Sequence, residues 1–384
     1  MFSLYLHIPY CLKKCRYCNF NSVAQCVVPE EEYCAALLAE LKAHAETPLW
    51  RGRAIRTIYF GGGTPSIFSG AAIYHLMQEV AKVFDTSKVE EITLEANPAT
   101  LTTEKLQYYK AFNLNRLSLG VQSLNQETLA TLGRVHTVSE TLEALALCKE
   151  NGIDNLSLDL IYGVPRQSVP DLKRDIAALT TLQPKHISAY CLSIEEGTPL
   201  FGMVKSGELK PLQEEIVAEM MVSVMTDLEE KGYQHYEISN FAVQGYHSKH
   251  NSAYWDGSDY LGLGAGAHSF NAAVKPFGRR WSNLSSPERY LAAAHDLTKV
   301  QDFSETLTER DALNEFFMLG LRRKVGFSVT TFEERFKRSF STLYGATTEA
   351  LFLKGLLEKK DNNIKLTKEG VLLADEVIES FIRT

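Results

Sequence analysis

Apolar and polar positions along the first half of the chain follow two alternating regimes. Short runs rich in Leu, Ile, Val and aromatic residues occupy 4–8, 57–60, 91–95, 116–121, 155–161 and 186–192. Between them, at 33–45, 72–84, 103–112, 139–151 and 171–182, the composition and spacing are those of helices with one buried face. Strand followed by helix, repeated at roughly 25–50 residues, predicts a parallel sheet with helices on its outer face. Several strand segments are nearly continuous apolar runs, which predicts cover on both faces. Polar and glycine-rich residues come directly after the strands, as in Gly61-Gly62-Gly63-Thr64-Pro65 and Gln122-Ser123. In parallel α/β folds that end of the sheet carries the site.

Past residue 200 the pattern changes. A helix is predicted over 213–231, and 232–285 is rich in aromatics, glycine and histidine with little periodicity. From about 302 a mainly helical unit begins, with Leu313, Phe316, Phe317 and Leu321 tracing one helix face. An apolar turn at 355–366, a polar hairpin at Asp361-Asn362-Asn363 and a helix over 368–381 suggest a winged-helix-like end. Such folds often bind DNA, yet residues 302–384 hold 13 Lys/Arg against 14 Asp/Glu, too balanced for a surface that tracks phosphates. No nucleic-acid partner is expected.

Composition narrows the class. A chain of 384 residues points to more than one domain, and 45% hydrophobic content fills a sizeable core. A net charge of −7 again argues against a general nucleic-acid surface. The first nine residues lack the basic segment and long apolar core of a secretory signal, and no apolar run approaches the ~18 residues of a membrane span. The expected location is cytoplasmic, with peripheral membrane contact allowed.

Seven cysteines, an odd number, do not suggest a disulfide scaffold. Cys26, Cys34, Cys148 and Cys191 are scattered and read as small hydrophobes in or near the core. Cys11, Cys15 and Cys18 instead lie within eight residues, at spacings of four and three. Clustered thiolates suit an iron–sulfur cluster or zinc. Zinc would need a fourth protein ligand, for which His7 is the candidate. Three thiolates on a four-iron cluster leave one iron open to a cofactor or substrate. Lys13, Lys14 and Arg16 supply positive charge nearby in sequence, which favours thiolate over thiol.

The C-x3-C-x2-C spacing after a first strand resembles the radical S-adenosylmethionine (SAM) superfamily, and the likeness runs over most of the chain. Tyr59-Phe60-Gly61-Gly62-Gly63-Thr64-Pro65-Ser66 is similar to its glycine-rich element, where Gly62, Gly63 and Thr64 would meet the SAM methionine. Leu94-Glu95-Ala96-Asn97-Pro98, the stretch holding Gln122, Leu132-Gly133-Arg134-Val135-His136 and Leu158-Asp159-Leu160 narrow the likeness to the HemN/HemW branch, the coproporphyrinogen dehydrogenases and heme chaperones. The resemblance implies a [4Fe–4S] cluster on the three cysteines. It assigns Tyr5, Tyr17, Glu95, Gln122, Arg134 and Asp159 to SAM, with Ser193 and His268 added on less distinctive stretches. The implied fold is an incomplete (β/α)6 radical SAM barrel over 1–230. Residues 231–301 would complete the site, and 302–384 would form the winged-helix-like C-terminal domain.

Three features favour the chaperones over the oxidases of this branch. The oxidases carry a further cysteine two positions after the third ligand, where this chain has Cys18-Asn19-Phe20, and an arm of some tens of residues before the cluster. His250-Asn251-Ser252-Ala253-Tyr254-Trp255 also matches the H-N-x-x-Y-W signature of the HemW group, as does the Gly-rich stretch at 260–269. A neutral histidine is a common axial heme ligand, and Tyr and Trp offer flat apolar surface. The resemblance therefore implies heme as cargo, held through His250, Tyr254 and Trp255 on a loop over the barrel mouth. His7, His235 and His247 are secondary candidates. Heme-accepting proteins such as those of the respiratory chain would be partners, and a homodimer is compatible with this reading. The alternative is an enzyme, an oxygen-independent coproporphyrinogen III oxidase.

Overall fold

A computed structural model describes residues 1–25 and 27–382. Cys26, expected near the core, lies outside the described residues. Six parallel strands stand in sequence order: β1 (Phe2–Ile8), β2 (Ile55–Gly62), β3 (Glu91–Ala96), β4 (Arg116–Gln122), β5 (Leu156–Tyr162) and β6 (His186–Cys191). Each is within a few residues of the segment its apolar run predicts. The helices between them, among them Glu30–Ala45, Gly70–Val83, Thr103–Ala111, Val138–Glu150 and Val169–Thr181, return the chain for the next parallel strand. The arc is an incomplete barrel with helices outside.

The expected cover on both faces is found, but only one of the two faces is apolar. Leu4, Leu6 and Ile8, Ile58 and Phe60, Leu117, Leu119 and Val121, and Leu158 and Leu160 join the hydrophobic core. The alternate positions, Ser3, Tyr5 and His7, Thr57 and Tyr59, Glu91 and Glu95, Arg116 and Ser118, and Ser157 and Asp159, fall by the period of two on the opposite, inner face. Thr57 Oγ1 donates to Ser3 Oγ across the inner face at 2.8 Å, and Tyr59 OH donates to Glu95 at 2.7 Å. The lumen is therefore polar though nearly dry, because its groups bond one another.

The segment without clear periodicity holds five further strands, and with a sixth at Gln301–Thr306 they extend the sheet to twelve strands among the described residues. Tyr260–Leu263 runs parallel beside β1, followed outward by His268–Asn271, Arg279–Asn283 and Gln301–Thr306. Asn240–Ala242 and Gln234–Glu237 run antiparallel beyond β6. Since Gln301–Thr306 belongs to this sheet, the C-terminal unit starts a few residues after the expected 302. It contains helices Glu309–Arg322, Val329–Phe336 and Phe340–Leu353 and a three-stranded sheet of Phe327–Ser328, Leu357–Lys360 and Asn363–Leu366. Phe317, Phe327, Phe332, Phe340, Tyr344 and Phe381 interlock in its core. No helix among the described residues is long and apolar enough to cross a membrane.

Candidate functional site

A cavity of about 380 Å³ opens at the C-terminal ends of β1–β6. Its wall includes Cys11, Cys15, Cys18, Tyr17, Gly62, Gly63, Thr64, Glu95, Gln122, Arg134, Asp159 and Ser193. Twelve of the residues singled out from sequence thus meet in one place. The parallel sheet explains this, because every strand delivers its last inward side chain, and the loop after it, to the same end.

The cysteine loop is held by its backbone. Arg16 N donates to Leu132 O at 3.0 Å, and Leu200 N donates to Arg16 O at 2.8 Å. Gly63 sits under this loop, where a Cβ would meet Tyr10 O at 2.7 Å and Cys11 Sγ at 2.9 Å. Gly62 has φ +119°, a backbone region nearly closed to other residues. Thr64 Oγ1 donates to Cys11 Sγ at 3.5 Å, and burial pushes the Cys11 thiol up.

The charge beside the thiols matches the expectation in part. Lys14 Nζ turns away to the carbonyls of Phe20 and Ser22, both at 3.0 Å, and Arg16 Nη1 bonds Ala130 O at 3.2 Å. Lys13 and Lys14 line the cavity with the thiols as expected, but the cation bonded to a thiol is Arg134, whose Nη1 lies 3.3 Å from Cys15 Sγ. Gly120 O anchors its Nη2 at 2.8 Å, while its buried Nε has no hydrogen-bond partner. Gly133, with φ +72°, ends the preceding helix Gln126–Leu132 and lets that turn approach Arg16.

Across the floor, Glu95 accepts from Tyr59 OH at 2.7 Å and from Gly62 N at 3.2 Å. Burial outweighs these bonds and raises its carboxyl to about 7. Asp159, near Ser118 Oγ at 3.4 Å, is raised by burial to about 6. Gln122 adopts φ +68°, a strained value for a non-glycine residue, and its buried Oε1 is unpartnered. Strain of that kind, ending in an unmet acceptor, marks a ligand site rather than a packing solution. Asn97, Ser118, Tyr190 and Cys191 also line the cavity and were missed. Ser118 was available from the period of two leading to Gly120 and Gln122. Cys191 is exposed here, not in the core, whereas Cys34 and Cys148 are buried as expected.

Other expected residues lie elsewhere. Tyr5 is below the cavity, its hydroxyl 3.0 Å from His7 Nδ1 and its ring stacked on Tyr59. His268 lines a neighbouring depression with Lys14, Phe20 and Asn21. The placement of His250 over the mouth is corrected. It is 1% exposed, its Nδ1 lies 2.8 Å from Thr57 Oγ1 and its Nε2 lies 2.9 Å from Tyr254 OH. Thr57 is near the start of β2, five residues or about 16 Å of strand from Gly62, so the motif plugs the opposite end. Burial lowers the His250 pKa to about 3, and both ring nitrogens are occupied, so no lone pair is free for iron. Tyr254 packs edge-on against Tyr260, and Trp255 lies under Arg322. His7 is buried, with Nε2 2.8 Å from Asn21 O, and so is no zinc ligand as placed. His235 stacks on Phe241 and His247 on Tyr236.

The residues fit the groups the sequence implies. No three His, Cys, Asp or Glu side chains among the described residues converge on a single ion, as a zinc site requires. Three separate thiols facing one cavity suit a cluster, whose irons are bound one to each sulfur. The unpartnered Arg134 Nε and Gln122 Oε1, with two near-neutral carboxyls, are donors and acceptors waiting for a polar ligand.

Comparison with known proteins agrees. The radical SAM superfamily model matches residues 5–179, and the HemN C-terminal domain model matches 307–373. The chain is 36% identical over 380 residues to the heme chaperone HemW of Lactococcus lactis subsp. lactis, covering 99% of this chain and 97% of that protein. It is likewise 36% identical to HemW of Bacillus subtilis, covering 100% and 99%. Among solved structures, coproporphyrinogen III oxidase (HemN) from Escherichia coli superposes with a TM-score of 0.83 at 23% identity, over 99% of this chain and 89% of that one. That likeness speaks to the fold.

Proposed function

Because the chain belongs to the HemW family of heme chaperones within the radical SAM superfamily, we propose that it binds heme and passes it to heme proteins, with a [4Fe–4S] cluster and SAM in the cavity. The full-length likeness to HemW carries the chaperone reading, and the three thiols beside unpartnered Arg134 Nε carry the cofactor reading. Cys11, Cys15 and Cys18 would hold the cluster, and its open iron would let SAM be bound and reduced. Arg134 places a fixed positive charge against Cys15 Sγ, and its Nε can donate to a carboxylate. Glu95 and Asp159 can accept from hydroxyls as carboxylates or donate as acids, since both titrate near neutrality. Gly62 and Gly63 bring bare backbone to the same wall. Acceptors would be heme proteins, those of the respiratory chain among them, and the chain itself would work in the cytoplasm or at the membrane surface.

The test is anaerobic incubation of the reconstituted protein with heme, or with SAM and coproporphyrinogen III. Stable heme binding followed by transfer to an apo-protein, without decarboxylation, is expected. Release of carbon dioxide from coproporphyrinogen III would establish the oxidase instead. In the same preparation Cys15→Ala should remove the broad ~400 nm iron–sulfur absorption, and Cys148→Ala should not.

A further inference from the structure

With His250 committed to the floor of the barrel, the heme reading needs another site. The cavity and the neighbouring depression share Lys14, Asn19 and Phe20, so the two form one trough across the cysteine loop. Phe20 is 65% exposed, and it is rigidly displayed rather than loose. Lys14 Nζ grips the carbonyls of Phe20 and Ser22, while Asn21 Nδ2 donates to Ala265 O at 2.9 Å and Ser285 O at 3.0 Å. Gly266 lets Asn21 come this close, since a Cβ there would collide with the Asn21 amide. Val135 and Tyr190, 39% and 42% exposed, rim the cavity on its far side. Phe20, Val135 and Tyr190 together put exposed apolar surface around the cavity, which a flat apolar ligand can cover.

At the other end of the trough stands His268, exposed at the start of strand His268–Asn271. Among the described residues no protein group hydrogen-bonds its ring. His7, His186 and His250, by contrast, have both ring nitrogens engaged. We propose that heme lies over the depression at the His268 end of this trough, beside the cavity that the cluster and SAM would fill, with a ring nitrogen of His268 as axial ligand to the iron and Phe20 against the porphyrin face. This rests on the heme-chaperone reading. The bond uses the lone pair of neutral imidazole and displaces a water from the iron. Burial and Arg280 hold the His268 pKa below the usual histidine value, which keeps that lone pair available at neutral pH. Arg280 itself is occupied by Glu305 and Glu315, so the lysines on the trough that can meet a propionate are Lys13 and Lys14, the latter with the one ammonium hydrogen its two carbonyl bonds leave. Asp302 on the same depression would repel a carboxylate, which orients the propionate edge toward Lys14. The site is open to solvent, as handing heme to a second protein requires.

Heme titration of the reconstituted full chain, followed by its Soret and visible bands, tests this. His268→Ala should weaken binding roughly tenfold or more and shift the Soret band, and free imidazole should restore the wild-type spectrum. Phe20→Ala should weaken binding to a similar extent without moving the band. His250→Ala, where it folds, should leave the heme spectrum unchanged. Iron–sulfur absorption reports the fold in each case. If wild type binds heme and His268→Ala binds it with the same affinity and spectrum, this site is wrong while the chaperone reading stands. If His268→Ala loses both heme and cluster, rescue by imidazole supports the site and lack of rescue overturns it. If wild type itself binds no heme, the chaperone reading falls and the site with it.

Discussion

At the scale of single residues, the site is built from side chains whose chemistry depends on a dry setting. Glu95 is the clearest case, with its carboxyl raised to about 7 by burial despite two hydrogen bonds. Its proton is held more tightly in the folded than in the unfolded chain, where it would leave at about 4.5. The group therefore penalises folding progressively as pH rises from about 4.5 to 7, and no further above that. Cofactor-free protein should lose stability over this range, by about 3 kcal/mol or less from this group. Denaturant unfolding at pH 5 and pH 7.5 measures the slope, and Glu95→Gln should flatten it. A ligand that hydrogen-bonds the carboxylate should release a proton on binding, read as a buffer-dependent heat in titration calorimetry at pH 6.5. An equal heat in all buffers would leave Glu95 outside the binding site. Gly63 is the second case. Gly63→Ala places a methyl 2.7 Å from Tyr10 O, a backbone atom that cannot swing aside. The variant should fold, since the clash is local, yet hold less iron after reconstitution, as iron and sulfide analysis would show.

At the scale of elements, the helix Lys249–Trp255 explains the H-N-x-x-Y-W stretch as a plug. Its first turn meets the buried carboxylate of Glu91, which accepts from Lys249 N at 2.9 Å and His250 N at 3.0 Å. The helix end thereby offsets a charge that burial alone would penalise. His250 then bridges Thr57 and Tyr254, tying strand β2 to the helix. His250→Ala leaves a buried hydroxyl without its partner and a gap beside Tyr59, so it should cost about 2–4 kcal/mol. Thermal unfolding measures that loss, and an unchanged melting point would mean the plug is not structural. The same element accounts for Trp255, whose ring takes Arg322 of the C-terminal unit at 5.9 Å. The motif thus has a packing role at the foot of the barrel.

At the scale of the whole molecule, the C-terminal unit is tied to the sheet edge through backbone bonds: Ile238 N to Arg322 O at 3.0 Å and Lys324 N to Tyr236 O at 3.1 Å. Its stability rests on the aromatic cluster around Phe317, which is fully buried. Phe317→Ala should cost about 3–5 kcal/mol and loosen this unit first, visible as faster hydrogen exchange over 309–322 than over β1–β6. Uniform exchange in both parts would show that the two unfold as one. Much of this architecture was legible in the amino-acid order. Apolar runs and helical spacing located β1–β6 and their helices, because a strand or helix must bury one face wherever it lies. Cys11, Cys15, Cys18, Gly62 and Gly63 were legible because thiol spacing and bare backbone are local properties. Three things were decided only in three dimensions. The edge strands within 234–306 owe their form to neighbours rather than to their own pattern, since hydrogen bonds to an existing sheet stabilise even weakly periodic segments. Arg134 joins Lys13 and Lys14 at the thiols, and alone of the three bonds one of them, because the strand order brought it there, 119 residues from Cys15. His250 and His268 lie close together in the chain, yet one is sealed at the foot of the barrel and the other stands open beside the cysteine loop. Residue type told what each imidazole can do; only the folded chain settles which nitrogens are already used.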